Sequence, residues 1–407
     1  MKKMLILIMI LVLFLTACQV PLPAQTTAAQ TVPETTAPEV TVQETTAPVT
    51  TVPETTLSET TVPETTQAPT EPEFDPLALA RSLTLEQRVG QLFLARCPEV
   101  SALEELQTYC LGGYLLFGRD FDGQTPESLS QTIAAYQAAA AVPMLIAVDE
   151  EGGTVARVSG NSAFRDSRFK SPRRLYEAGG LELIRKTEEE KCVLLKSLGI
   201  NVNLAPVCDI TTDPNAFMYG RSIGLGPEQT GEFVCAVIEE MAAHQIGGVL
   251  KHFPGYGNNT DTHVGIAEDS RSLEELENGD LVPFAMGIRH GCDAIMVSHT
   301  VIQCLDPAQP ATLSAEVIVY LRQTMGFSGV IMTDDLAMGA ITERYGAEEA
   351  AVLAVLAGND LLCSSEYAAQ YTAVLEAVRS GRIPETQVEQ AAARVLQWKY
   401  DLGLLEN

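Results

Sequence analysis

From Phe74 onward the chain repeats one pattern: a short apolar segment, a polar or ionisable residue at its end, then a helix-length stretch rich in Ala, Leu and Glu. The strand candidates are Gly112–Phe117, Pro143–Val148, Asn201–Val207, Gly247–Lys251, Ala294–Ser298, Gly329–Met332 and Leu361–Ser364. Helical stretches between them include Leu181–Leu198, Pro227–His244, Ala315–Met325 and Ala347–Ala357. Another helical pattern starts at Thr84, a candidate N-cap, and runs toward Leu94. Strands that are apolar on both faces and alternate with helices imply a parallel sheet covered on both sides. The strand ends choose the architecture. Asp149, Cys208 with Asp209, Lys251 with His252, Ser298 with His299, and Thr333 with Asp334 and Asp335 all stand there. An open doubly wound sheet would concentrate such residues at one switch point. A (β/α)8 barrel brings the ends of many strands to one mouth. The even spread predicts an α/β fold, a TIM (β/α)8 barrel forming a single catalytic domain over 74–407. No Walker A motif is present, and Gly255-Tyr256-Gly257 is followed by Asn258-Asn259, which breaks a dinucleotide fingerprint.

Two other segments precede the barrel. Lys2 and Lys3 lead into the apolar run Met4–Leu15, shorter than the ~20 residues a spanning helix needs. Residues 1–18 therefore have the shape of a secretory signal peptide. The run ends in Leu15-Thr16-Ala17-Cys18, which resembles the lipobox of bacterial lipoproteins. That resemblance implies lipidation of Cys18 and residence on the extracytoplasmic face of the cell membrane. Residues 19–73 are mostly Thr, Pro, Glu, Val and Ala, with eight Glu and no Lys or Arg. Thr-Val-Pro-Glu-Thr-Thr occurs at 31–36, 51–56 and 61–66, and Thr-Val-Gln-Glu-Thr-Thr at 41–46, a period of ten. Nothing in the repeat can bury itself, so this Thr/Pro/Glu-rich linker is expected to be disordered. At about 3.1 Å per residue it would reach roughly 170 Å, as a tether holding the barrel off the membrane. The net charge of −27 argues against nucleic acid as a partner and against a polybasic membrane patch.

The chemistry-bearing stretches sit at the strand ends. Lys251-His252-Phe253-Pro254-Gly255-Tyr256-Gly257 continues into a loop that carries Asp261 and His263. Two residues apart in an extended loop, a carboxylate and an imidazole can share one side, which fixes the tautomer and makes a usable general acid/base. A solvated loop with a helix-capping Asp fits the same spacing. The strand before Asp334 and Asp335 delivers a carboxylate suited to a nucleophile or electrostatic stabiliser. Either could instead be an N-cap or a hydrogen-bond partner of the site. Asp149-Glu150-Glu151 places three acids together, as a metal site would. No His flanks them, and the following Gly152-Gly153 and Arg157 favour a shaped loop that hydrogen-bonds neutral hydroxyls. The reading is no metal and no cofactor. Arg221, in Tyr219-Gly220-Arg221-Ser222, follows the loop after Asp209.

Taken in order, these motifs are Asp-Glu-Glu-Gly-Gly-x-Val-x-Arg (149–157), Asn-Leu-Ala-Pro-Val-x-Asp (203–209), Gly-Arg-Ser (220–222), Lys-His-Phe-Pro-Gly-x-Gly-x3-Asp-x-His (251–263) and Gly-Phe-x-Gly-Val-Ile-x-Thr-Asp-Asp-Leu-x-Met (326–338). Together they resemble the family 3 glycoside hydrolases, in the single-domain β-N-acetylglucosaminidase (β-N-acetylhexosaminidase) branch. The resemblance implies that Asp334 is the nucleophile that forms a glycosyl-enzyme. It implies that His263 is the acid/base and Asp261 its partner in a dyad. It implies that Asp149, Arg157, Arg221, Lys251 and His252 bind the non-reducing-end sugar. Retaining glycosidases normally use two carboxylates about 5–5.5 Å apart; this branch replaces one by a histidine. The implied substrates are N-acetylglucosaminides from peptidoglycan or chitin fragments. The chain departs from the family at Tyr256, where His is usual, and at Glu150 and Thr154, where Gln and Arg are frequent.

Two rival functions remain at this stage. One is a β-N-acetylglucosaminide phosphorylase, because an acid/base that is neutral after proton transfer repels an incoming phosphate less than a carboxylate would. The other is a non-catalytic cell-wall sugar-binding lipoprotein. The nine cysteines include no Cys-x-x-Cys. Cys208, Cys292 and Cys363 lie in or beside apolar strands and are expected to be buried free thiols. Trp398 and Leu402 are expected in the core, His244 and His290 at helix ends, and His299 at the barrel mouth.

Overall fold

The computed structural model describes residues 74–257 and 267–406. The expectations for 1–73, Cys18 among them, and for Asp261 and His263 lie outside the described residues. Eight strands form one parallel sheet: β1 Phe93–Arg96, β2 Gly113–Leu116, β3 Leu145–Val148, β4 Val202–Asn203, β5 Gly247–Phe253, β6 Ala294–Val297, β7 Val330–Thr333 and β8 Leu362–Ser364. Each pairs with its neighbours in chain order. The ring closes where Phe93 of β1 aligns with Leu362 of β8 and Met332 of β7 bridges Leu361. This is the α/β barrel that the alternation predicted.

β1 corrects one expectation. The helix that starts at Thr84 does not run to Leu94; it spans Leu85–Gln91, and β1 begins two residues later. The N-cap at Thr84 is real: its hydroxyl accepts from Gln87 N at 3.2 Å, and Gln87 Oε1 accepts from Thr84 N at 2.9 Å. The end was hidden because Val89 and the run Leu92–Ala95 are buried in both elements and only Gly90 and Gln91, buried as well, stand between them. Smaller differences follow backbone chemistry. The segment Asn201–Val207 is a strand only at Val202–Asn203, before Pro206, which has no N–H to donate to a ladder. The stretch from Leu181 is the second half of a longer helix, Pro172–Ser197, which bends at Gly179 and Gly180, the latter at φ +62°. The Ala315 helix ends at Val319 and continues as a π turn over Tyr320–Thr324. Proline in the first turn starts several helices, including Pro126, Pro172 and Pro227.

The pleat sorts the strand residues into two cores. Leu94, Leu115, Leu145, Ala147, Val249, Met296, Val330, Met332 and Cys363 point into the barrel. Phe93, Tyr114, Ile146, Leu250, Ile295, Ile331 and Leu362 point out against the helices. Each buried Leu, Val, Ile or Phe contributes about 1.5–3 kcal/mol. The barrel floor is closed by Val395, Trp398 and Leu402 of the final helix, Glu385–Asp401, and of the residue after it. The Trp398 ring lies so close to the start of β5 that a Cβ on Gly247 would stand 2.7 Å from it. With the floor filled by side chains, the open volume is left at the C-terminal ends of the strands. His244 and His290 follow their helices as C-caps, and each Nδ1 donates to the carbonyl four residues back. The described cysteines are free thiols, and Cys208, Cys292 and Cys363 are buried. Among the described residues no helix is long and apolar enough to cross a membrane.

Candidate active site

A cavity of about 410 Å³ opens at the C-terminal ends of the strands. That is the size range of small-molecule sites. Its wall includes Asp149, Arg157, Arg221, Lys251, His252 and Asp334, the described members of the sequence-derived site. They come from β3 and its following hairpin, from the loop after β4, and from the ends of β5 and β7. Residues up to 185 positions apart thus meet in one volume only because the barrel gathers its strand ends.

Most of the polar side chains form a continuous chain of partners. Lys251 Nζ donates to Asp149 Oδ1 at 2.7 Å and lies 2.8 Å from Glu151 Oε1. Arg221 grips Glu151 with two nitrogens, Nη2 to Oε1 at 2.6 Å and Nε to Oε2 at 3.0 Å. Arg221 Nη2 also lies 3.2 Å from His252 Nε2. A guanidinium can only donate, so Nε2 accepts and the ring proton sits on Nδ1. Nδ1 in turn donates to Asp209 Oδ2 at 2.8 Å. Asp209 is fully buried and also accepts from the His252 and Tyr256 backbone N–H groups. The Lys251–His252 peptide is cis.

The chain of charges sets the protonation states. Burial alone would raise the Glu151 carboxyl, but Lys251 and Arg221 outweigh it and hold the group at about 2. Burial disfavours the Lys251 ammonium, yet Asp149 and Glu151 together raise it above its ordinary value. Burial likewise opposes ionisation of Asp334, and the neighbouring His252, His299 and Lys251, with the Asp335 N–H, reverse that and lower it. Asp334 is therefore an ionised carboxylate in the cavity.

Asp334 and Asp335 are told apart by their partners. Asp335 Oδ1 accepts from Ala337 N at 2.9 Å and Ser365 N at 3.0 Å, and its Oδ2 accepts from the Ser365 hydroxyl. Both of its oxygens are used to shape the loop. Asp334 Oδ1 accepts from Asp335 N at 2.8 Å, while Oδ2 has no hydrogen bond among the described residues. His299, just past the end of β6, is buried and bonded through Nδ1 to Thr312 Oγ1 at 2.8 Å and through Nε2 to the Asp335 carbonyl at 3.0 Å. It supports the backbone behind Asp334.

The three acids at 149–151 do not form one cluster. Strand alternation sends Asp149 and Glu151 to Lys251 and turns Glu150 away, where it accepts from Ser159 and Val158. Among the described residues no group of three His, Cys, Asp or Glu side chains is arranged to hold a metal. Tyr256 is buried, its ring edge-on to His252 at 5.1 Å and to Phe217 at 5.2 Å. Glu151 and Asp209 have a larger part than the sequence suggested. Arg96 was not singled out at all. Arg96 and Arg157 approach one Phe117 ring, at 4.6 and 5.8 Å. Neither guanidinium has a hydrogen bond or ion pair among the described residues, and the Nε of each is buried. The signal for Arg96 is a polar residue ending an apolar strand, masked because β1 starts two residues after the preceding helix.

Comparison with known proteins places this geometry. Residues 84–398 match the family model described as the glycosyl hydrolase family 3 N terminal domain. A β-hexosaminidase of Xylella fastidiosa is 38% identical over 242 residues, covering 58% of this chain and 70% of that protein. The β-hexosaminidase LpqI of Mycobacterium tuberculosis is 28% identical over 342 residues, covering 80% of this chain and 85% of that one. A solved family 3 β-N-acetylglucosaminidase from Paenibacillus superposes with a TM-score of 0.74 at 33% identity, over 80% of this chain and 64% of that chain. On the family match and these relatives, the chain belongs to glycosyl hydrolase family 3.

Proposed function

We propose that the protein is a retaining, exo-acting β-N-acetylhexosaminidase that removes terminal β-linked N-acetylglucosamine from peptidoglycan or chitin-type fragments. The observation that carries the reading is the half-free carboxylate of Asp334 in a cavity shared with Asp149, Arg157, Arg221, Lys251 and His252. The family membership and the relatives named β-hexosaminidase support it. Asp334 attacks the anomeric carbon, and the bond to the leaving sugar oxygen breaks. His263, polarised by Asp261, protonates that oxygen and then takes a proton from the water that releases the sugar. Asp149 offers a free oxygen to sugar hydroxyls, while Lys251 and Arg157 donate to sugar oxygens. Arg96, on the same wall, adds further donors.

The test is turnover of a chromogenic β-N-acetylglucosaminide by the full chain. The wild type is expected to cleave it in preference to the β-glucoside, and Asp334→Ala to lose at least about 10³-fold in kcat. Unchanged turnover in Asp334→Ala refutes the mechanism, and sugar binding without turnover by the wild type favours a binding protein. Phosphorolysis is the second reading. It is favoured by the two guanidiniums of Arg96 and Arg157, which have no hydrogen-bond or ion-pair partner among the described residues and suit an incoming phosphate. Phosphate-dependent rates with a sugar 1-phosphate product would establish it. Membrane attachment through a lipid on Cys18, with 19–73 as tether, belongs to the same proposal. Loss of membrane association in Cys18→Ala tests it.

A further inference from the structure

Glu150 is a buried carboxylate that the reaction does not use. Its surroundings are specific. Glu150–Gly152 and Val155–Ala156 form an antiparallel hairpin, with Glu150 opposite Ala156. Asp149 and Arg157 bracket that pair and are joined by Arg157 N to Asp149 O at 3.3 Å. Both line the cavity, whereas the Glu150 side chain turns to the other face. There it reaches past Arg157 to the next two residues. Its Oε2 accepts from Val158 N at 2.7 Å and from Ser159 N at 3.3 Å, and its Oε1 accepts from the Ser159 hydroxyl. The Ser159 oxygen accepts from Phe169 N at 3.2 Å, and the Phe169 carbonyl accepts from Gly153 N, at the hairpin tip, at 2.8 Å. The Glu150 backbone is fastened to β4, with Asn203 Oδ1 accepting from its N–H at 2.9 Å and Asn203 Nδ2 donating to its carbonyl at 3.2 Å.

We propose that Glu150 is a positioning residue for Arg157: its carboxylate closes the turn that returns the Arg157 guanidinium to the cavity, and so sets affinity for the sugar without touching it. The proposal rests on the glycosidase reading of the site. Arg157 itself has no side-chain partner among the described residues, so its direction is fixed by its backbone and by the Phe117 ring alone. That backbone is held on one side by Asp149 and on the other by Glu150. The donor pattern suits a carboxylate here. A carboxylate accepts at both oxygens, whereas an amide keeps one acceptor for the Val158 and Ser159 N–H groups and turns its NH2 toward the Ser159 hydroxyl, which must then reorient. Glu150→Gln thus removes one acceptor arm while conserving shape. Ser159→Ala removes the hydroxyl arm and leaves both backbone arms in place.

The experiment combines kinetics on a chromogenic β-N-acetylglucosaminide with calorimetric titration of N-acetylglucosamine, on the full chain. It compares wild type, Glu150→Gln, Ser159→Ala, Arg157→Lys and the Glu150→Gln/Arg157→Lys pair. Glu150→Gln is expected to raise KM and the sugar Kd about tenfold with kcat within about twofold, as for a displaced binding group. Ser159→Ala is expected to give a smaller rise of the same kind. The Glu150→Gln effect is expected to vanish in the Arg157→Lys background, because the two act as one unit. An unchanged rise in that background, or equal losses in kcat and KM terms, would overturn the positioning role. A wild type that binds N-acetylglucosamine without cleaving it would refute the glycosidase reading while the Kd ratios still decide this one. A wild type that does neither overturns both.

Discussion

Glu151 is the most exposed point of the site to a single charge change, because two cations depend on it. Its side chain is 2% accessible, as is that of Lys251, and it contacts Lys251 and the Arg221 fork at once. The fall of its carboxyl from the ordinary 4.5 to about 2 corresponds to about 3 kcal/mol of folded-state stabilisation. Loss of one partner from a buried ion pair costs about 3–5 kcal/mol, which agrees. Glu151→Gln keeps the shape and removes the charge. At neutral pH it is expected to lower stability by about 3 kcal/mol. For a body of roughly 330 residues, with an unfolding entropy of about 2.1 cal/mol/K per residue, that is a drop of about 4 °C in Tm.

The pH dependence gives the sharper check. A carboxyl depressed in the folded state contributes its full stability above the unfolded value and loses it as pH falls through the folded value. The gap between wild type and Glu151→Gln should therefore be constant from pH 7 down to about 5. It should shrink by about 2 of the 3 kcal/mol by pH 3 and close near pH 2. Thermal unfolding followed by circular dichroism at matched ionic strength measures both. A gap under 1 °C at pH 7, or one that stays the same at pH 3, would refute the claim that Lys251 and Arg221 are held by an ionised Glu151. In the active protein the same variant should lower kcat/KM, since both cations lose the anchor that orients them toward the cavity.

Two more outcomes follow from the charge pattern. Because Asp334 is lowered, the acid limb of kcat/KM is expected below the ordinary aspartate value of 3.8, and a limb above it would mean the cations beside Asp334 do not act on it. Lys399 is fully buried in the last helix, its Nζ 2.6 Å from Gln91 Oε1, and burial lowers it to about 7. The unfolded chain then holds more protons between pH 7 and the ordinary 10.5, so wild-type stability should rise with pH across that window. Relative to Lys399→Met, the wild type should gain about 2 kcal/mol, or about 3 °C in Tm, from pH 7 to pH 9. Parallel Tm profiles for the two proteins would show that the amine is not held in its neutral form.

The barrel was legible in the sequence because its strands are written twice, once as apolar runs and once as the polar residues that end them. Asp149, Lys251, His252 and Asp334 could be named before any fold because each closes such a run, and all of them reach the cavity. The rule failed where the punctuation is missing. β1 follows its helix with one intervening residue and no loop between them, so both the strand and the arginine at its end, Arg96, stayed hidden. Another kind of information was out of reach for a different reason. In Asp149-Glu150-Glu151 the residue types alone suggest three equivalent ligands, yet the hairpin gives them three separate tasks. Asp149 keeps an oxygen free, Glu151 neutralises two buried cations, and Glu150 faces away to hold the turn carrying Arg157. Likewise Asp334 and Asp335 are neighbours of one type. They differ in that Ala337 and Ser365, the latter following β8 in sequence and lying beside them once the ring closes, occupy Asp335. Sequence shows which residues can do chemistry. The partners brought in from distant strands decide which of two adjacent carboxylates is left with an unoccupied oxygen to do it.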